Sequence, residues 1–339
     1  MYLRLCILFP VLGALPTLST AYQNPIRDPG PDPSMVFADG QYFLTYTSFD
    51  SITITRSKTL SGLATGETKT IWTDSDSSRN GNMWAPEIHQ IDGKWHVFYS
   101  SCDSTLECCD SCRTRVLEGC LGPNPYDCSY SYLAGLVPAV GSQGGPQKDK
   151  AFSIDGTYLE IPDKGRYHVL SIIDQDENQS LAIAELDTDT WTVGGWNVIS
   201  VPDQAWEVSG SPVNEGPHPL YHAGQIWLSY SGSYCGTPDY ALGLLKYNGG
   251  DPLLKSSWEK TGPVFSKANG NYGTGHNAFF TSPDGTEIWN VFHATSNADG
   301  SCGTDRYTMT QVLTFDQDNT PDFGEPQLLS AVLVAPSGE

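Results

Sequence analysis

The chain has 339 residues, of which 39% are hydrophobic and 17% charged, with a formal net charge of −21. This composition excludes a disordered chain. The acidity argues against nucleic acid or an anionic membrane as partner, since both would be repelled, and is compatible with a neutral or weakly acidic extracellular ligand. Residues 1–21 read as a secretory signal: Arg4 supplies the positive start, Leu5 to Leu15 the apolar stretch, and Ser19-Thr20-Ala21 the small residues of a cleavage site. No later stretch approaches the roughly 20 apolar residues of a membrane span. The expectation is a secreted, soluble protein in which residues 22–339 form a single domain.

From Asn24 onward helix periodicity is nearly absent, and one pattern recurs. A short apolar strand, a turn with glycine and an aromatic-rich strand appear first in "PSMVFADGQYFLTY". They return in "APEIHQIDGKWHVFYSS", "IDGTYLEIPDKGRYHVLSI", "NEGPHPLYHAGQIWLSYSG" and "HNAFFTSPDGTEIWNVFHA". The turn glycines are Gly40, Gly93, Gly165, Gly224 and Gly285, spaced by 53, 72, 59 and 61 residues. A third alternating strand follows most hairpins, as in "SITITRS", "SLAIAEL" and "YALGLLKY". Units of three or four strands at this period predict an all-β, five-bladed β-propeller, because one blade cannot bury both faces and a ring of them can. A β-sandwich also has many short strands, but it does not explain hairpins recurring at this step.

The longest gap holds a cysteine-rich insert at 102–128. Of nine cysteines, Cys6 leaves with the signal. The remaining eight, an even number in an exported chain, predict disulfides. Six of them (Cys102, Cys108, Cys109, Cys112, Cys120 and Cys128) fall in the insert and are expected to staple a long loop. The Cys109-Asp-Ser-Cys112 spacing also suits zinc, but the compartment is oxidising and the cluster has no histidine. Cys235 and Cys302 are expected to join neighbouring loops. Asn178-Gln-Ser180 is a glycosylation sequon.

Asp32, Glu87, Asp155, Glu215 and His276 each stand six to ten residues before a turn glycine. If the first strand of each blade lines the channel, these groups converge on the axis. Like charges in a partly desolvated site oppose ionisation, so such a ring is costly unless used. Carboxylates whose pKa values are pushed apart serve as acid and base, the requirement of glycoside hydrolysis. Trp84 and Trp206 are candidate platforms for sugar rings, although either also suits a core. Two prolines around Asp32 would preorganise a base for water.

The segments "RDPGPDPSMVFADGQYFLTYTSFDSITITRSKTLSGL", "MWAPEIHQIDGKWHVFYS", "IDGTYLE", "VNEGPHPL" and "GTGHNAFFTSPDG" together resemble the blade motifs of glycoside hydrolase family 43, over about residues 24 to 325. The resemblance implies a five-bladed propeller and an inverting mechanism. Asp32 is then the general base, Glu215 the general acid, and Asp155 the residue that orients the acid and tunes its pKa. It further implies Trp84 as a wall of the sugar pocket, Arg306 near the catalytic centre, and His276 beside a central calcium or its water shell. The WAPE glutamate, Glu87, would hold backbone or His89 rather than substrate. The branch most resembled is that of α-L-arabinofuranosidases acting on arabinan or arabinoxylan side chains, including exo-acting α-1,5 enzymes. A β-xylosidase or endo-α-1,5-arabinanase of the same family is the enzymatic alternative, and a sugar-binding propeller without catalysis the alternative of another class. The expected partner is a plant cell-wall polysaccharide or arabino-oligosaccharide met by a monomer. The cysteine-rich insert departs from the general family pattern.

Overall fold

A computed structural model describes residues 20–139, 142–144 and 151–339. The expected secretory signal lies outside the described residues except for Thr20 and Ala21. Five antiparallel sheets follow one another along the chain, each built from contiguous strands. Blade 1 comprises Ser34–Ala38, Gln41–Thr45, Ile52–Ser57 and Glu67–Trp72; blade 2 comprises Gly81–Ile91, Lys94–Cys102, Arg113–Leu121 and Ser131–Gly135. Blade 3 has Ser153–Ile161, Gly165–Ile173 and Gln179–Asp187, the last flanked by both Thr192–Val193 and Asn197–Ser200. Blade 4 has Asn214–His222, Gln225–Gly232, Ala241–Tyr247 and Trp258–Phe265, and blade 5 has Tyr272–Thr281, Ile288–Thr295, Tyr307–Phe315 and Pro321–Asp322. The all-β propeller expected from the repeat is therefore the observed fold.

Each hairpin turns at a predicted glycine. Gly40, Gly93, Gly224 and Gly285 have φ between +69° and +76°, a left-handed conformation that costs glycine no Cβ clash. Alternating side chains send one face of each blade toward each neighbour. Met35, Tyr42 and Leu44 of blade 1 meet Phe280, Trp289 and Val291 of blade 5; Phe43, Ile52 and Ile54 meet Met83, Ile88 and Val97 of blade 2. Blades 3 and 4 share Val169, Ile183, Leu228 and Tyr230, and blades 4 and 5 share Leu242, Phe265, Phe292 and Met309. The core is thus a set of inter-blade layers. Ala21–Tyr22 pairs with Leu333–Val334, fastening the two ends of the described chain to each other beside blades 1 and 5.

The cysteine-rich region is not one loop. Arg113–Leu121 runs through it as the third strand of blade 2, with Leu121 opposite Lys94 at the hairpin end. Cys102–Cys112 and Cys108–Cys109 consequently lie at one end of the blade and Cys120–Cys128 at the other. The two cysteines of the zinc-like spacing belong to different disulfides. Cys235–Cys302 joins the loops after the second strands of blades 4 and 5, as the sequence suggested.

Candidate active site

The innermost strands share a device that positions the site. Each blade has a left-handed residue at one equivalent point of its innermost segment, besides those in its turns and strand starts: Asp32 (φ 52°), Ala85 (φ 44°), Asp155 (φ 54°), Gly216 (φ 56°) and His276 (φ 45°). Asp32 stands two residues before the start of its strand, and the other four sit at register shifts within theirs. Such a bulge re-aims a side chain and bends the strand. The backbone N–H of each left-handed residue donates to the preceding blade. Ala85 reaches Thr47 Oγ1 (2.7 Å), Asp155 reaches Ser100 Oγ (2.9 Å), and Gly216 reaches Asp155 Oδ2 (3.1 Å). His276 reaches Ser231 Oγ (2.8 Å), and Asp32 closes the ring on His293 Nδ1 (3.1 Å).

This pattern corrects the equivalence read from the sequence. Asp32, Asp155 and His276 are true counterparts, but the matching positions of blades 2 and 4 are Ala85 and Gly216. Glu215 lies one residue before its bulge and Glu87 two residues after. Glu87 is accordingly set away from the other acids, its Oε2 2.8 Å from His89 Nε2 and accepting from Thr157 Oγ1 at 2.6 Å.

Asp32, Asp155, Glu215 and His276 come together. Arg306 Nη1 donates to Asp32 Oδ1 at 2.6 Å, and His276 Nδ1 stands 3.5 Å from the same oxygen. Carbonyls of Cys302 and Gly303 accept from Arg306 and fix its guanidinium, so the Cys235–Cys302 loop serves the site. Burial opposes charge on Asp32, yet the Arg306 guanidinium and His276 hold its carboxyl well below the usual range. Burial, aided by Arg306, pushes His293 down to about 4, leaving a neutral ring able to accept from the Asp32 N–H.

The other two acids behave oppositely. Asp155 is pushed up to about 7, first by burial and then by the charges of Glu215 and Asp32, against the pull of His276. Glu215 is also raised, mainly by burial, although His276 and donors from Tyr240 and Gln179 favour its charge. Those donors are Tyr240 Oη to Oε1 (2.9 Å) and Gln179 Nε2 to Oε2 (2.7 Å). His276 is itself disfavoured as a cation by burial, but Asp32, Asp155 and Glu215 more than offset this and raise its pKa. Three carboxylates therefore face two cations, Arg306 and His276. One further proton, favoured on the Asp155–Glu215 pair by the upward shift of both carboxyls, would make the cluster neutral. An acid held low opposite a pair held high is what paired acid–base chemistry requires.

Trp84 is half-buried at the same end as the acids. It packs with Ile154 and the Cys102–Cys112 disulfide, and it pairs in register with Ser100, the acceptor for Asp155. Trp206 is not brought to the acids. Its ring lies over Gly232 and Gly262 and near Tyr230, and its indole N–H donates to Gln204. A side chain at either glycine would meet the indole at 2.5 Å or less, so these glycines make room for a partly buried tryptophan packed against the core between blades 3 and 4. Sequence reasoning missed Tyr240, Gln179 and His293. Tyr240 stacks on His293 (centroids 5.6 Å, planes 7° apart), linking the acid side of the cluster to the base side. The available signal was position: each lies at the end of a second strand or the start of a third, where the chain returns to the acid-bearing end.

The family model for glycosyl hydrolases family 43 matches residues 22–321. An extracellular exo-α-(1→5)-L-arabinofuranosidase of Streptomyces avermitilis is 36% identical over 91% of this chain and 64% of its own length. Its namesake from Streptomyces chartreusis is 31% identical over 80% of this chain and 82% of its own length. The chain thus spans just under two thirds of the first of these relatives. The crystal structure of an α-L-arabinofuranosidase from Lactobacillus brevis superimposes with a TM-score of 0.81 at 29% identity, covering 91% of this chain and 98% of that one. With the motif order, the propeller and the acid cluster in agreement, the chain belongs to glycosyl hydrolase family 43.

Proposed function

We propose that this protein is a secreted, monomeric, inverting exo-α-L-arabinofuranosidase that releases terminal arabinofuranosyl residues from arabinan or arabinoxylan side chains. The observation that carries the reading is the convergence of three carboxylates: Asp32 paired with Arg306, and the Asp155 and Glu215 oxygens within 4.8 Å of each other, with Asp32 held low and the other two raised. Asp32 accepts a proton from the attacking water. Arg306 keeps it ionised at the cost of basicity, which suits a late proton transfer as the water bonds to an oxocarbenium-like centre. Glu215 gives its proton to the departing oxygen; it is more exposed than Asp155, so it is the member of the pair that meets substrate. Asp155, tied to the Gly216 N–H, keeps its partner protonated through like charge. Trp84 walls the pocket. Secretion is supported by the four disulfides and by the word extracellular in the names of two relatives.

The calcium implied for His276 fits these residues poorly as a directly held ion. Asp155, Glu215 and His276 bring donor atoms within 4.8 Å of one another. Both carboxylates already accept hydrogen bonds, and their charges favour the protonated imidazole, which has no lone pair to offer. Calcium also prefers about six to eight oxygens. The chemistry above needs only the carboxylates.

Hydrolysis of linear α-1,5-arabino-oligosaccharides tests the reading. Arabinose as the sole early product supports it. Mixed oligomers indicate endo action, turnover only of xylosides a β-xylosidase, and binding without turnover a lectin.

A further inference from the structure

A cleft of about 590 Å3 opens at the hairpin ends of the innermost strands, opposite the acid-bearing end. It is walled by Tyr158 and Glu160 of blade 3, His218 and Tyr221 of blade 4 and Phe279 of blade 5, with His89 of blade 2. The cleft begins at Tyr158 and His218, each three residues or roughly 10 Å of extended strand beyond Asp155 and Glu215, and reaches Glu160 roughly 17 Å away, so its mouth faces away from the acids. Glu87, buried and bonded to His89 and Thr157, lies between the two.

The walls are fixed and their polar groups converge. The Tyr158 hydroxyl donates to Glu160 Oε2 (2.8 Å), and the Glu160 N–H donates to the Tyr221 hydroxyl oxygen (3.0 Å). Glu160 Oε1 remains an acceptor and the Tyr221 hydroxyl a donor. His89 stacks on His218 (6.2 Å, 21°), and Phe279 meets His218 edge-on (5.7 Å, 65°). Tyr221 is 44% exposed, a large aromatic face open to solvent.

We propose that this cleft is a second carbohydrate-binding site, holding neutral pentose units of the polysaccharide whose ends the acid cluster trims. The choice of ligand rests on the proposed function; the site itself rests on the cleft. Aromatic faces take the C–H faces of a sugar ring, and a carboxylate with a neighbouring phenol takes its hydroxyls. The volume falls within the roughly 300–1,000 Å3 of small-molecule sites. Glu160 and the net charge of −21 disfavour anions. A polymer held here would keep further chain ends near the opposite face.

The test uses Asp32→Asn protein, which binds without turnover, titrated with arabinotriose and xylotriose by calorimetry and NMR. Two binding events are expected. Tyr221→Ala and Glu160→Gln, each added separately, should weaken the second event at least tenfold. In the active background both should leave kcat/KM on an aryl arabinofuranoside within twofold of wild type. Glu160 is exposed, so its variant tests the proposal even where Tyr221→Ala fails to fold. A single binding event, or a second event unaffected by Glu160→Gln, overturns it. So does tetramethylammonium displacing sugar from the cleft, which would make the aromatics a cation cage. Loss of aryl arabinofuranoside turnover in the wild type would refute the proposed function while leaving the cleft result intact.

Discussion

Asp155→Asn removes one of the two carboxylates that share a proton and keeps the shape. The Asp155 and Glu215 oxygens lie within 4.8 Å of each other. Two unit charges about 4.8 Å apart interact by about 3.5 kcal/mol at an effective dielectric of about 20, or about 2.5 pH units; water and His276 screening reduce this toward one. The alkaline limb of kcat/KM reports loss of the essential proton from the free enzyme. In the wild type it should fall near pH 7, where burial and like charge place Asp155. In Asp155→Asn, Glu215 no longer has a like charge beside it and releases its proton sooner, so the limb moves down by about one to two units. The assay is a pH profile on arabinobiose, with an aryl arabinofuranoside as control because its leaving group needs little protonation. A limb that stays in place, or moves upward, refutes the coupling.

Glu215→Gln should lower kcat/KM on arabino-oligosaccharides by about 10²–10⁴-fold and on activated aryl glycosides far less; equal losses on both would remove Glu215 as the acid. Arg306→Ala strands the buried Asp32 carboxylate and should cost about 3–5 kcal/mol in denaturant unfolding, with loss of activity; unchanged stability would mean the pair is incidental. Asp155, raised in the folded state, contributes stability that is present below about pH 4 and lost as pH rises through about 7, so wild type should lose stability relative to Asp155→Asn over that window. Unfolding curves that stay parallel across the window would contradict the raised value.

How much of this was legible in the sequence depended on what local chemistry encodes. Glycine turns, three of them Asp-Gly, and period-2 strands announce themselves, so the five hairpins and the blade count were readable. Bulges do not. Counting back from the turn glycine grouped Glu87 and Glu215 with Asp32, whereas the left-handed residues show that Ala85 and Gly216 hold those places. The signal was the next residue: Pro33, Pro86 and Pro217 follow three of the five. Arg306 was placed only by resemblance, because 274 residues separate it from Asp32 and a disulfided loop carries it there. Trp206 misled because closeness to Glu215 in the chain says nothing about which face a ring takes; Gly232 and Gly262, the room it fills, are distant in sequence. The cysteine-rich segment hid a blade strand because six cysteines crowd its ends.

Proton NMR of the first-formed sugar, taken within seconds of adding enzyme to an α-1,5-arabino-oligosaccharide, is the most direct check on an ionised Asp32 acting through water opposite a protonated Glu215. β-Arabinofuranose appearing first, before mutarotation, is the predicted outcome. α-Arabinofuranose appearing first would mean that a carboxylate attacked the sugar itself, and the roles assigned to Asp32 and Glu215 would be wrong.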